Sequence, residues 1–235
     1  MKKRTYFPSI ITALVLACGT TPPAPDIDRT KPNLSVTITF NSDLYGTMMF
    51  KKMYPTYAIW IEDVKSGAVK TVYVTGKAGK DSWIMADKRP SSVPVWYGAR
   101  KREKTVGTTG TVDAVTGATP SGNTFTHSIE LPVDMVDGRL AVFVEGNISF
   151  DYNEHYPKKA AKGEPGYSDV NGQPSVVWKA VIDAGTRSAE KDLAIVGHGD
   201  VLGEDNRIHT DMIKITTAKD IFLYVGTLYS PGERK

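Results

Sequence analysis

The chain has 235 residues, 29 Lys and Arg against 26 Asp and Glu, four His and one Cys. A single cysteine excludes an intramolecular disulfide, and the lack of basic runs or of bases interleaved with aromatics excludes a nucleic-acid interface. Three of the bases, Lys2, Lys3 and Arg4, fall in the first seventeen residues, which carry no acid, so the remainder is neutral with 26 of each sign.

Residues 1–17 read as a targeting segment. A basic start precedes the apolar stretch Ile10 to Leu16, which is too short to span a bilayer. Val15-Leu16-Ala17-Cys18 resembles a lipobox, in which the small Ala17 suits the peptidase and the Cys18 thiol receives the lipid. Acyl chains then anchor the protein without a transmembrane helix. Residues 18–32 are rich in Pro, Thr and Asp and show no apolar periodicity, the composition of an extended tether.

From residue 33 to 235 strand signals dominate, and one domain is expected. Leu34 to Phe40 alternates with β-branched residues. Tyr57 to Asp63 and Val69 to Val74 flank Lys65-Ser66-Gly67 and predict a hairpin. Ser82 to Met85 and Val95 to Lys104 are the only segments with helical character. Further strands are predicted at Thr126 to Leu131, Leu140 to Phe150, Ser175 to Ile182, Leu193 to Val196, Met212 to Thr216 and Ile221 to Tyr229. Short strands punctuated by Gly, Pro, Asp and Asn imply an all-β, immunoglobulin-like β-sandwich with long loops. The longest connections, Arg100 to Asn123 and Asp151 to Pro174, are where function is expected.

The first of these connections contains Asp113-Ala114-Val115-Thr116-Gly117-Ala118-Thr119. This Asp-x-x-Thr-Gly-Ala-Thr segment resembles the target motif of the bacterial flavin transferase, which joins FMN through its phosphate to the last Thr hydroxyl. The resemblance implies covalent FMN on Thr119. Asp113, Thr116, Gly117 and Ala118 would then form the recognition segment. Small Gly117 and Ala118 let the chain lie in a narrow cleft, and Asp113 would position the segment or a metal in the transferase. A phosphoester leaves the flavin ring free to cycle between redox states. The same residues also make a good polar turn.

Four blocks resemble the predicted periplasmic proteins of the domain of unknown function 2271 family: Tyr57 to Asp63, Val112 to Thr119, Phe150 to Glu154 and Asn171 to Ser175. That resemblance implies a fold and a setting, beside flavin transferases and membrane flavin reductases, but no reaction.

Other candidates are weaker. Asp151-Tyr152-Asn153-Glu154-His155 offers metal-type oxygen and nitrogen donors, yet reads as a strand end with solvated polar residues. Tyr152, Trp60, Trp96 and Trp178 suit flavin stacking, although aromatics in a sandwich usually build the core. His198 and His209 have no third ligand at a sensible spacing and read as surface histidines. No Gly-x-Ser-x-Gly elbow and no Gly-x-Gly-x-x-Gly before a helix is present, which excludes the corresponding hydrolase and Rossmann sites. The expectation is therefore an envelope lipoprotein, periplasmic or at the outer membrane. It carries FMN and relays electrons, with a flavin transferase and a membrane flavin reductase as partners. The alternative is a cofactor-free sandwich that serves as an envelope binding or scaffold module.

Overall fold

The computed structural model describes residues 28, 30–48, 51–79, 90–105, 115–117, 123–136 and 138–232. Two sheets pack face to face as an all-β sandwich, as the strand pattern implies. The smaller sheet has the order β10 (Ala189–Asp192), β12 (Phe222–Ser230), β1 (Asn33–Phe40), β7 (Thr124–Glu130). The larger has the order β11 (Ala194–His198), β9 (Val176–Asp183), β8 (Arg139–Asn147), β4 (Thr56–Asp63), β5 (Val69–Thr75), β6 (Val115–Gly117). A separate two-residue pair joins β2 (Thr47–Met48) to β3 (Lys51–Lys52).

The alternation in β1 turns Leu34, Val36, Ile38 and Phe40 inward and leaves the intervening residues on the outer face. They meet Tyr57, Ile59, Ile61, Val142, Val144 and Trp178 from the larger sheet. β4 is buried almost throughout because its sheet is covered on both faces. The second cover is helix α2 (Pro94–Thr105), which follows a short turn of helix, α1 (Gly76–Gly79). Trp96 and Ala99 of α2 pack on Ala58, Trp60, Phe143 and Val177, making a second apolar core. Each large side chain buried this way contributes about 1.5–3 kcal/mol.

The β4–β5 hairpin forms as expected. Asp63 Oδ1 accepts from Lys65 N, Ser66 N and Ser66 Oγ, and Gly67 supplies the positive φ of 72° that ends the turn. The predicted helix Val95 to Lys104 is α2, while Ser82 to Met85 lies outside the described residues. Two expectations fail. Met212 to Thr216 alternates but is a loop, because the Lys214 carbonyl and the Thr216 amide are taken by the side chains of Asn153 and Gln173. β8 ends at Asn147 rather than Phe150, where the backbone turns to a φ of 68°.

Candidate functional site

Within the flavin-transferase-like segment, Val115, Thr116 and Gly117 form β6, a strand and not the free loop expected. β6 runs parallel to β5, pairing Val115 with Tyr73, Thr116 with Val74 and Gly117 with Thr75. It is the outermost strand of its sheet among the described residues. Val115 and Thr116 are β-branched and favour extended backbone, which overrides the turn-like composition around them. Asp113, Ala118 and Thr119 lie outside the described residues, as does Cys18.

The next described strand, β7, is the edge of the opposite sheet, so the chain crosses from one sheet to the other after β6. An aromatic cluster bridges the sheets here. Tyr73 of β5 lies 5.0 Å from the ring of Phe125 and 5.3 Å from His127, both on β7, and stacks on Tyr57 at 5.3 Å. His127 is buried, its Nε2 has no partner, and desolvation pushes its pKa down to about 4. The imidazole is therefore neutral at ordinary pH. Sequence reasoning passed over His127, although the alternation Phe125, His127, Ile129 was a signal that it points inward.

The proposed stacking tryptophans are core residues. Trp60 is 0 % exposed, stacks on Phe143 at 4.9 Å, and donates from Nε1 to Glu62 at 3.0 Å. Trp96 donates from Nε1 to Thr71 Oγ1, and Trp178 is buried between the sheets. Tyr152 donates its hydroxyl to the Asp169 carbonyl at 2.8 Å. A shallow cleft of about 430 Å³ lies over the Trp60–Phe143 stack, walled by Ala99 and Ile208 and crossed by the Glu62–Arg102 ion pair.

The polar run from Asp151 is not a solvated strand end, as expected, but a closed network. Asp151 accepts from Thr217 Oγ1 at 2.7 Å and Gln173 Nε2 at 2.8 Å, while Gln173 Oε1 accepts from Thr216 N at 2.6 Å. Asn153 donates to the Lys214 carbonyl and accepts from the amides of His155 and Tyr156. Burial raises the Asp151 pKa, and the bonds from Thr217 and Gln173 oppose the shift. Asp151, Asn153 and Gln173 are thus engaged in holding the 151–174 loop. Among the described residues no three His, Cys, Asp or Glu converge on a point that would hold a metal ion.

His198 and His209 face each other across an isolated bridge, rings stacked at 5.4 Å, with His209 Nε2 3.2 Å from Asp205. Residues eleven apart thus meet, which spacing alone did not show.

Glu145, also absent from the sequence candidates, is fully buried on β8 beneath α2. Its carboxylate accepts from Val95 N at 3.2 Å, Trp96 N at 2.7 Å and Ser175 Oγ at 2.7 Å. It thereby caps a helix preceded by Val93, which has no capping oxygen. Desolvation nevertheless pushes its pKa up to about 7. Comparison with protein-family models, with curated proteins and with solved structures finds no match.

Proposed function

We propose that this protein is a lipid-anchored, extracytoplasmic flavoprotein that carries FMN on Thr119 and relays electrons in the cell envelope. The observation that supports this reading best is the position of Thr116 and Gly117. Both belong to the motif, and both sit in an outermost strand, three residues long. Such a strand offers another enzyme extended backbone for recognition by strand pairing. Gly117 adds no side-chain bulk where the chain leaves the sheet for Thr119.

The residues present suit the group. The Thr119 hydroxyl oxygen would form the phosphoester, and FMN would supply one- and two-electron chemistry. Tyr73 and Phe125, on the strands that flank this crossing, are packed into the core, so they fix the crossing in place and leave the flavin ring to the outside of the sandwich. Cys18, as the lipid acceptor, would hold the domain at a membrane across the tether. A flavin transferase is then an obligatory partner, and a membrane flavin reductase a fitting donor or acceptor.

The test is co-expression of the full chain with a flavin transferase, read by intact mass. Wild type gains one FMN less one water and fluoresces in a denaturing gel. Thr119→Val keeps the β-branched shape without the oxygen and gains nothing, while Thr119→Ser retains some label. No uptake by wild type would leave the cofactor-free binding module as the better reading. Equal labelling of Thr119→Val would move the flavin to another residue.

A further inference from the structure

The outer face of the four-stranded sheet has no covering element among the described residues, and its chemistry is unusual for a solvated sheet. On β1 and β7 three successive outward pairs in register are hydroxyls, beyond the Asn33–Glu130 pair at one end. Ser35 bonds Ser128 at 2.6 Å, Thr37 bonds Thr126 at 2.9 Å, and Thr39 bonds Thr124 at 3.2 Å. Each pair uses one hydrogen internally, so each still presents one O–H donor and open lone pairs to solvent. The groups stand on paired strands, and four of the six are stiff β-branched threonines, so ordering them against a ligand costs little.

β12 lies beside this ladder and supplies the apolar part. Tyr224 is 39 % exposed and Leu228 is 45 % exposed. The Tyr224 ring lies across Gly226, where a Cβ would overlap its hydroxyl, so the ring rests flat on the sheet with one face open. That hydroxyl bonds Asp192 of β10, which pairs with Gly226, while Glu190 pairs with Leu228. The face therefore runs from carboxylates through a flat ring to a row of hydroxyls. Three interstrand spacings make it about 14 Å wide.

Charge decides what fits. The outward residues in register on β10, β12, β1 and β7 between Glu190 and Thr124 include no cation, and Lys191 of β10 is turned to the Val181 carbonyl. Lys31, at one end, is paired with Glu130 at 2.8 Å. Phosphate, nucleic acid and anionic lipid find no counter-charge here, and the two carboxylates repel them. A neutral polyol matches instead. Its C–H face stacks on an aromatic ring, and its hydroxyls meet acceptors at the carboxylates and donors along the ladder.

We propose that this face is a binding platform for a neutral polysaccharide, with Tyr224 stacking on a sugar ring and the Ser/Thr ladder, Asp192 and Glu190 bonding its hydroxyls. The proposal is independent of the flavin reading, which rests on the Thr119 segment and not on this face.

The experiment measures depletion of the full chain from solution by insoluble cellulose, chitin and mannan, with dextran sulfate and phosphatidylglycerol vesicles as anionic comparisons. Wild type is retained by at least one neutral polysaccharide. Tyr224→Ala weakens that retention by about tenfold or more, the effect of losing an aromatic anchor. The double substitution Thr37→Val with Thr126→Val keeps shape, removes one hydroxyl pair, and weakens retention less. These are surface changes, and unchanged far-UV circular dichroism verifies the fold. Thr119→Val binds as wild type does. Retention on none of the three polysaccharides overturns the proposal, as does equal retention of Tyr224→Ala. Vesicle binding that Tyr224→Ala abolishes would make the face a lipid surface instead.

Discussion

Glu145 and His127 are buried titratable groups whose proton equilibria oppose each other. Burial raises the carboxyl from 4.5 to about 7, so between those values the folded protein holds a proton that the unfolded chain has lost. Glu145 therefore stabilises the fold at low pH, and that contribution, on the order of 3 kcal/mol, disappears as pH rises through about 7. His127 is lowered from 6.5 to about 4 by desolvation, so in that interval the unfolded chain holds the extra proton. Its contribution is present above 6.5 and lost as pH falls toward 4. Across the shared interval the two proton differences cancel, and they leave the denaturation midpoint of wild type nearly level. Glu145→Gln exposes the histidine alone, so its midpoint rises with pH relative to wild type. His127→Phe exposes the carboxyl alone, so its midpoint falls. Urea midpoints from about pH 4.5 to 6.5 check this, and parallel profiles for all three proteins would refute it.

At the scale of elements, the loop 151–174 is held by side chains rather than by a sheet. Gln173 is the joint, since it serves Asp151, Thr216 and Thr217 at once. Gln173→Ala takes one of two hydrogen bonds from the half-buried Asp151 carboxylate and the side-chain partner from the Thr216 amide, at about 1–3 kcal/mol in all. The expected result is a lower midpoint together with faster amide exchange across the loop. Slower or unchanged exchange would mean that other contacts hold it. This network also explains what was illegible in the sequence. Met212 to Thr216 has a strand's alternation, but its backbone groups are claimed by Asn153 and Gln173, and no pattern announces that. β10 was missed because Glu190, Lys191 and Asp192 suit a charged edge strand and show no apolar rhythm. The N-terminus of α2 depends on Glu145, some 50 residues along the chain. By contrast β1, β4, β5, β9 and β12 were legible, because one or both faces are buried and their side chains record it. In the flavin-transferase-like segment the strand was not legible, since Val115-Thr116-Gly117 carries too short a pattern to separate from a turn.

On the scale of the molecule, the sandwich closes through partners far apart in sequence. Among the described residues β1 is the first strand and β12 the last, β1 sits between β7 and β12, and the Thr227 hydroxyl reaches the Ser35 carbonyl across 192 positions. Such long-range pairing makes for slow closure, in the millisecond-to-second range. A chain ending at Lys219 retains every strand of the larger sheet but lacks β12. It is expected to remain unfolded by circular dichroism and by sensitivity to trypsin, whereas a folded product would show that the larger sheet stands alone. Because a ribosome releases the chain from its first residue onward, one backbone edge of β1 must wait unpaired until the nine residues of β12 appear. The pairing thus acts as a test that synthesis has passed Ser230. A product cut short before that point leaves the β1 edge open, and it stays visible to the proteases and chaperones that clear unfinished chains.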